Sequence, residues 1–250
     1  MSDSPKREIR PTLRVWEKLS YDHLLAAAHF ARSAHDYERQ YVPGSGTFPI
    51  EAHRACVIGA ILTSIACLEA AVNELFAETA EIPNALIRAK DPQVAERLAR
   101  LWRTGAGRWR VLEKFQVALA AGGKELFDVG GPPFQDARLL IELRNRLVHF
   151  KPEWQPASLE DGTQAGELSS LEKRLRGKFV THPAYKDSGN PFFPDKCLSH
   201  GCAEWAVVTA TAFCDEFFNR LGIPPPYENF RRGLGTGGSS PARLTSESGP

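Results

Sequence analysis

The segment Leu139–His149, reading LLIELRNRLVH, holds the residue types in this chain best suited to chemistry on an anion. On a helical wheel Leu139, Leu140, Leu143 and Leu147 make one apolar stripe, and Ala137, Ile141 and Val148 make a second. Arg144 falls between the two stripes. A guanidinium flanked by aliphatic rows is costly to bury without an anionic or polar partner. Asn145 and His149 are four residues apart and share a face. His149 lies in the last turn, just before Phe150-Lys151-Pro152, and Arg146 and Lys151 add local positive charge. A cation in need of an anion thus stands near an imidazole, a group that exchanges protons close to neutral pH. The alternative is purely structural: a core arginine paired with a carboxylate, and a histidine resting on the negative end of the helix dipole.

Upstream, Glu69 falls within the stripe formed by Ile58, Leu62, Ile65, Val72 and Phe76, with Asn73 bordering it one turn on. A carboxylate in an aliphatic row needs a cationic partner or a raised pKa, and Arg144 is the partner to propose. Such a pair can equally do no more than fix helix register. Cys197, His200 and Cys202 place three metal-ligand types in a short span, but there is no Cys-x-x-Cys pair and Cys214 sits on an apolar helix face. His23, His29, His35 and His53 form no His-Glu-x-x-His pattern and read as surface or core histidines. No metal or cofactor is therefore expected. Phosphate-binding Gly-rich loops and the Gly-x-Ser-x-Gly elbow are missing, which removes support for ATP hydrolysis and serine-hydrolase chemistry.

The elements that must position these residues are helical. Helices are expected near residues 20–40, 50–80, 92–103, 108–121, 134–150 and 198–221, with a short one near 168–176, and no period-2 run of any length occurs. Ser20 is a candidate N-cap for the first. The fold class is thus all-α: an antiparallel bundle of four to five main helices. A flexible arm is expected over residues 1–15, the helical domain over 16–225 and a disordered tail over 226–250, with a polar insert at 153–196 before the last helix. The apolar run Ala55–Leu68 is about 14 residues, short of the ~20 that span a bilayer. With 31 Lys and Arg against 30 Asp and Glu, bulk charge gives no sign of a polyanion partner. Five cysteines without regular spacing, and an N-terminus lacking an apolar signal, lead to the expectation of a cytoplasmic protein away from membranes.

At Arg144-Asn145-Arg146-Leu147-Val148-His149 the chain resembles the HEPN superfamily, the higher eukaryotic and prokaryotic nucleotide-binding helical domains. Its hallmark is Arg, four to six residues, then His, with a polar residue directly after the Arg. The segment Ile65–Phe76 is similar to the early helix of many such domains, and together the likeness covers roughly residues 20–222. The long insert departs from a compact HEPN bundle. The resemblance implies a metal-independent endoribonuclease, often a toxin or defence effector, working as a homodimer whose paired motifs line one cleft. An antitoxin or sensor protein is a further implied partner. In that scheme His149 is general base or acid, Arg144 binds the phosphate, and Asn145 orients phosphate or His149. Glu69 and Asn73 hold Arg144, while Arg146 and Lys151 contact RNA. The product would be a 2′,3′-cyclic phosphate. The resemblance equally allows a non-catalytic module that binds nucleotides, RNA or a protein partner. On an ideal helix Arg144 and His149 point about 140° apart, so convergence requires a long reach, an unwound last turn or a second protomer.

Overall fold

The computed structural model describes residues 14–44, 48–152, 154 and 169–238, and among these the chain is all-α with no strand. Eight α-helices follow in order: α1 Ser20–Glu38, α2 Ile50–Glu81, α3 Leu86–Lys90, α4 Pro92–Arg103, α5 Val111–Ala121, α6 Phe134–Val148, α7 Ser170–Leu175 and α8 His200–Leu221. The expected arm over residues 1–13, the core of the insert and the last twelve residues lie outside the described residues.

Helix α2 is the packing centre, touching α1, α4, α5, α6 and α8. At 32 residues it extends well past the apolar run read from sequence, and by length and composition it could cross a membrane. Its buried residues, among them Val57, Ile61, Ile65, Leu68, Val72 and Phe76, instead occupy about half of its circumference, the side that its neighbours cover. The pairing with α1 is close because small residues meet there: Ala27, Ala28, Ala31 and Ala34 are fully buried. A β-carbon on Gly59 would lie 2.9 Å from the Phe30 ring, so that crossing leaves room for hydrogen only.

Helix ends are set partly by local chemistry and partly by distant side chains. Asp91 caps α4 by accepting from the Gln93 and Val94 N–H groups at 3.0 Å each, with Pro92 in the first helical position. Ser169 and Glu172 form a capping box on α7, and Ser199 caps α8. Ser20 does not cap α1, contrary to the sequence expectation. It is the helix's first residue, and its backbone N–H and that of Leu19 both donate to Glu74 Oε1 of α2 at 2.8 Å. A carboxylate at that end satisfies orphaned donors and complements the helix dipole.

Two further expectations need correction. The insert, expected to be polar, is not so throughout: within residues 169–196, Leu175, His182, Phe192 and Phe193 are buried with the core. Nor is the chain from 226 onward wholly without structure. Tyr227 is fully buried, Glu228–Leu234 form a 3₁₀ helix, and Arg32 of α1 donates to the Gly233 and Gly235 carbonyls.

Candidate functional site

Helix α6 buries Ala137, Leu139, Leu140 and Leu143, while Ile141 and Leu147 are only partly covered and Val148 is 54% exposed. The second apolar stripe is therefore not a second core face. It borders an open cleft of about 840 Å³ between α5 and α6, lined among others by Trp109, Val111, Gln116, Ile141, Arg144 and Asn145. This volume lies in the range of small-ligand sites, whereas a concavity beside Lys18, Glu74 and Phe218 holds only about 60 Å³. A third, of about 590 Å³, is lined by Asp215, Glu216 and Glu228, an unfavourable set for an anion.

Arg144 is half-buried on the wall of the large cleft, and its Nε is buried without a hydrogen-bond partner. Among the described residues no carboxylate or carbonyl pairs with its guanidinium. The three carboxylates lining the cleft are otherwise engaged. Glu142 accepts from Arg174 and from Arg138, and the Arg174 bond holds its carboxyl below the usual range despite partial burial. Glu113 accepts the Arg110 backbone N–H at 3.2 Å, and Glu69 Oε1 lies 3.9 Å from the Lys114 amine. Among the described residues, then, the half-buried Arg144 keeps no counter-anion in the cleft, and neither does the exposed Arg110 at its edge.

The proposed support of Arg144 by Glu69 and Asn73 is not what the structure shows. Glu69 is exposed at the cleft rim, and the charge buried against α2 is Lys114, whose side chain is fully covered. Lys114 Nζ donates to Asn73 Oδ1 at 2.8 Å. Burial lowers the Lys114 pKa, and the nearby Glu69 charge offsets this only in part. The wheel had a visible signal for this lysine, since Lys114 shares a face with Ala118 and Val111, both on the inner side of α5.

His149 stands just past the end of α6 with φ −103° and ψ 30°, its N–H bonded to the Asn145 carbonyl at 2.9 Å. It is exposed, as are Asn145 and Lys151. It does not line the cleft that holds Arg144 and Asn145. Within one chain, then, the structure brings Arg144 and Asn145 together and leaves the imidazole outside. Arg146 lies over the Phe150 and Phe193 rings at 5.8 and 5.5 Å, partly covered rather than fully extended to solvent.

Compared with family models, curated proteins and solved structures, the chain matches none of them.

The remaining candidates separate clearly. Cys197 and Cys202 are buried side by side, and burial together with the neighbouring Cys197 pushes the Cys202 thiol up. His200 turns away from them: its Nε2 faces the Thr236 carbonyl at 3.1 Å and its ring packs on His35. That trio makes no metal site. His53 is fully buried, and it belongs to a cluster that neither motif nor spacing disclosed.

Proposed function

We propose that the chain is a HEPN-type, metal-independent ribonuclease of the cytoplasm, in which Arg144 and Asn145 hold an RNA phosphate in the α5–α6 cleft. The observation that carries this reading is the Arg144 guanidinium, half-buried on a cleft wall with no carboxylate or carbonyl partner among the described residues. A phosphate oxygen is the natural acceptor for such a donor, and an arginine so placed can stabilise charge as it builds on phosphorus. Trp109, 36% exposed in the same cleft, offers a face on which an unpaired base can stack. Single-stranded RNA is therefore the preferred form of substrate.

In this reading His149 acts across a pair of protomers. It is open to solvent but outside its own chain's cleft, so a second copy supplies the imidazole that completes each site or shares a common one. Val148 (54% exposed) and Phe150 (45%) flank His149 in the chain with apolar surface suited to that contact. One imidazole takes the 2′-hydroxyl proton as that oxygen attacks phosphorus. A second returns a proton to the departing 5′-oxygen, leaving a 2′,3′-cyclic phosphate. Asn145 orients the phosphate, and Arg146 and Lys151 flank the RNA path. An antitoxin or sensor would act by covering this face.

The position of His149 outside the cleft favours one second reading, a module that binds RNA or a nucleotide without cutting it. RNA cleavage in EDTA separates the two. The ribonuclease reading expects strand scission without added metal. Arg144→Ala and His149→Ala should each reduce it by at least ~100-fold while sedimentation shows an unchanged assembly. Tight binding without scission supports the second reading, and a requirement for divalent metal counts against the first.

A further inference from the structure

About 24 Å along α2 from Glu69, sixteen residues at ~1.5 Å each, a different set of side chains converges. Glu38 closes α1, His53 sits in the first turn of α2, and His182 comes from the segment between α7 and α8. His53 Nε2 lies 3.0 Å from Glu38 Oε1, and the same oxygen accepts the His200 backbone N–H at 2.6 Å. The His182 ring meets the His53 ring edge-on with centroids 4.7 Å apart, and Phe48 packs against both. Both imidazoles are completely buried.

Proton counting exposes an unfilled requirement. His53 Nε2 is engaged with Glu38, and its Nδ1 is buried without a partner among the described residues. His182 accepts the Ala184 N–H on Nδ1 at 3.1 Å, and its Nε2 is likewise buried and unpartnered. Two orphaned ring nitrogens in one buried cluster are unusual, because buried polar atoms nearly always find a partner. One donor atom each from Glu38, His53 and His182 lies within 4.8 Å of the others, and among the described residues no other group of three or more ligating side chains does so.

We infer that Glu38, His53 and His182 form a site for a divalent transition metal, zinc by the chemistry of its donors. Two imidazoles and a carboxylate suit zinc and its neighbours, while magnesium and calcium prefer all-oxygen shells. Coordination needs two local changes. The ion takes the place of the proton between His53 Nε2 and Glu38 Oε1, and that proton moves to Nδ1. His182 likewise moves its proton to Nδ1, gives up the Ala184 bond and turns its Nε2 lone pair inward. Losing these two hydrogen bonds is minor beside the affinity of a three-ligand zinc site. A water would complete the tetrahedron. Enclosed by Phe48 and far from the cleft, the ion serves as a clip joining the end of α1, the start of α2 and the chain leading into α8.

The test uses the full chain, stripped with EDTA and then titrated with Zn²⁺ and Co²⁺. The site predicts about one equivalent of bound metal, a visible Co²⁺ absorption of tetrahedral type and a Tm that rises with free Zn²⁺. His53→Gln and His182→Gln should each weaken binding by at least roughly 10-fold. Wild-type protein that takes up no stoichiometric metal overturns the inference, and so does undiminished binding by the His53→Gln/His182→Gln double variant. The wild-type spectrum decides the matter even where a variant fails to fold. RNA cleavage is scored with and without EDTA, with circular dichroism confirming the fold in each, so failure of either proposal leaves the other standing.

Discussion

Arg144 and Lys114 show how two cations near one cleft take different roles. Lys114 is wholly enclosed and bonded to Asn73, so it belongs to the scaffold, whereas Arg144 lines open space and pairs with no carboxylate among the described residues. The wheel assigned Arg144 the wrong companions. Its stripe around Glu69 lies at the border of the buried face of α2, where Ile58 and Leu62 are only half-buried and Glu69 shares an exposed strip with Glu51 and Ala55. A further residue can be tested directly. Burial, then the neighbouring Cys214 and Asp215, pushes the Tyr227 hydroxyl far above its ordinary pKa, and that hydroxyl donates to Asp215 Oδ1 at 2.7 Å. The folded state therefore favours neutral Tyr227. Its contribution to stability is complete below about pH 10 and is lost as pH rises beyond that, where the unfolded chain ionises. An alkaline absorbance titration should show one of the five tyrosines silent until the protein unfolds. Five tyrosines titrating in the folded state would contradict this placement.

Among the helices, those with a sustained apolar period were legible from sequence: α2, α4, α6 and α8 fall within a few residues of their expected bounds. Short α3 was not, because five residues give too little period to register. The cap of α1 was also hidden, since Glu74 is 54 positions away in the chain and no local pattern encodes it. The polar appearance of the insert misled for a similar reason. Its buried residues are few and spaced irregularly, and they dock through backbone contacts onto the start of α8. Gly201 carries that docking. A β-carbon there would stand 2.6 Å from the Val180 carbonyl oxygen and 2.9 Å from its nitrogen, both backbone atoms that cannot swing aside. Ser199 Oγ donates to that same carbonyl at 2.7 Å, fixing the approach. Gly201→Ala should destabilise the fold by about 1–3 kcal/mol, measured by urea denaturation. An unchanged midpoint would mean the segment is not held against α8.

Taken as a whole molecule, the chain separates a rigid end from an open one. Around the start of α2, histidines, Phe48 and the Glu38 carboxylate make a closed polar knot. On the flank between α5 and α6 a cleft of about 840 Å³ stays open, and apolar side chains gather beyond it at the end of α6. The overall charge of +1 does not disclose this arrangement, because one cleft mixes three glutamates with three arginines. The all-α class was legible in the periodicity, but the cleft was not, since it arises where two helices fail to close on each other.

The account rests on Arg144 meeting a phosphate. Its most direct test is the affinity of the protein for single-stranded RNA over a series of salt concentrations, with Arg144→Ala measured alongside. The loss of one phosphate contact should weaken binding by roughly 10-fold or more at low salt and reduce the slope of log K against log salt by about 0.7. Equal affinities and equal slopes for the two proteins would contradict it.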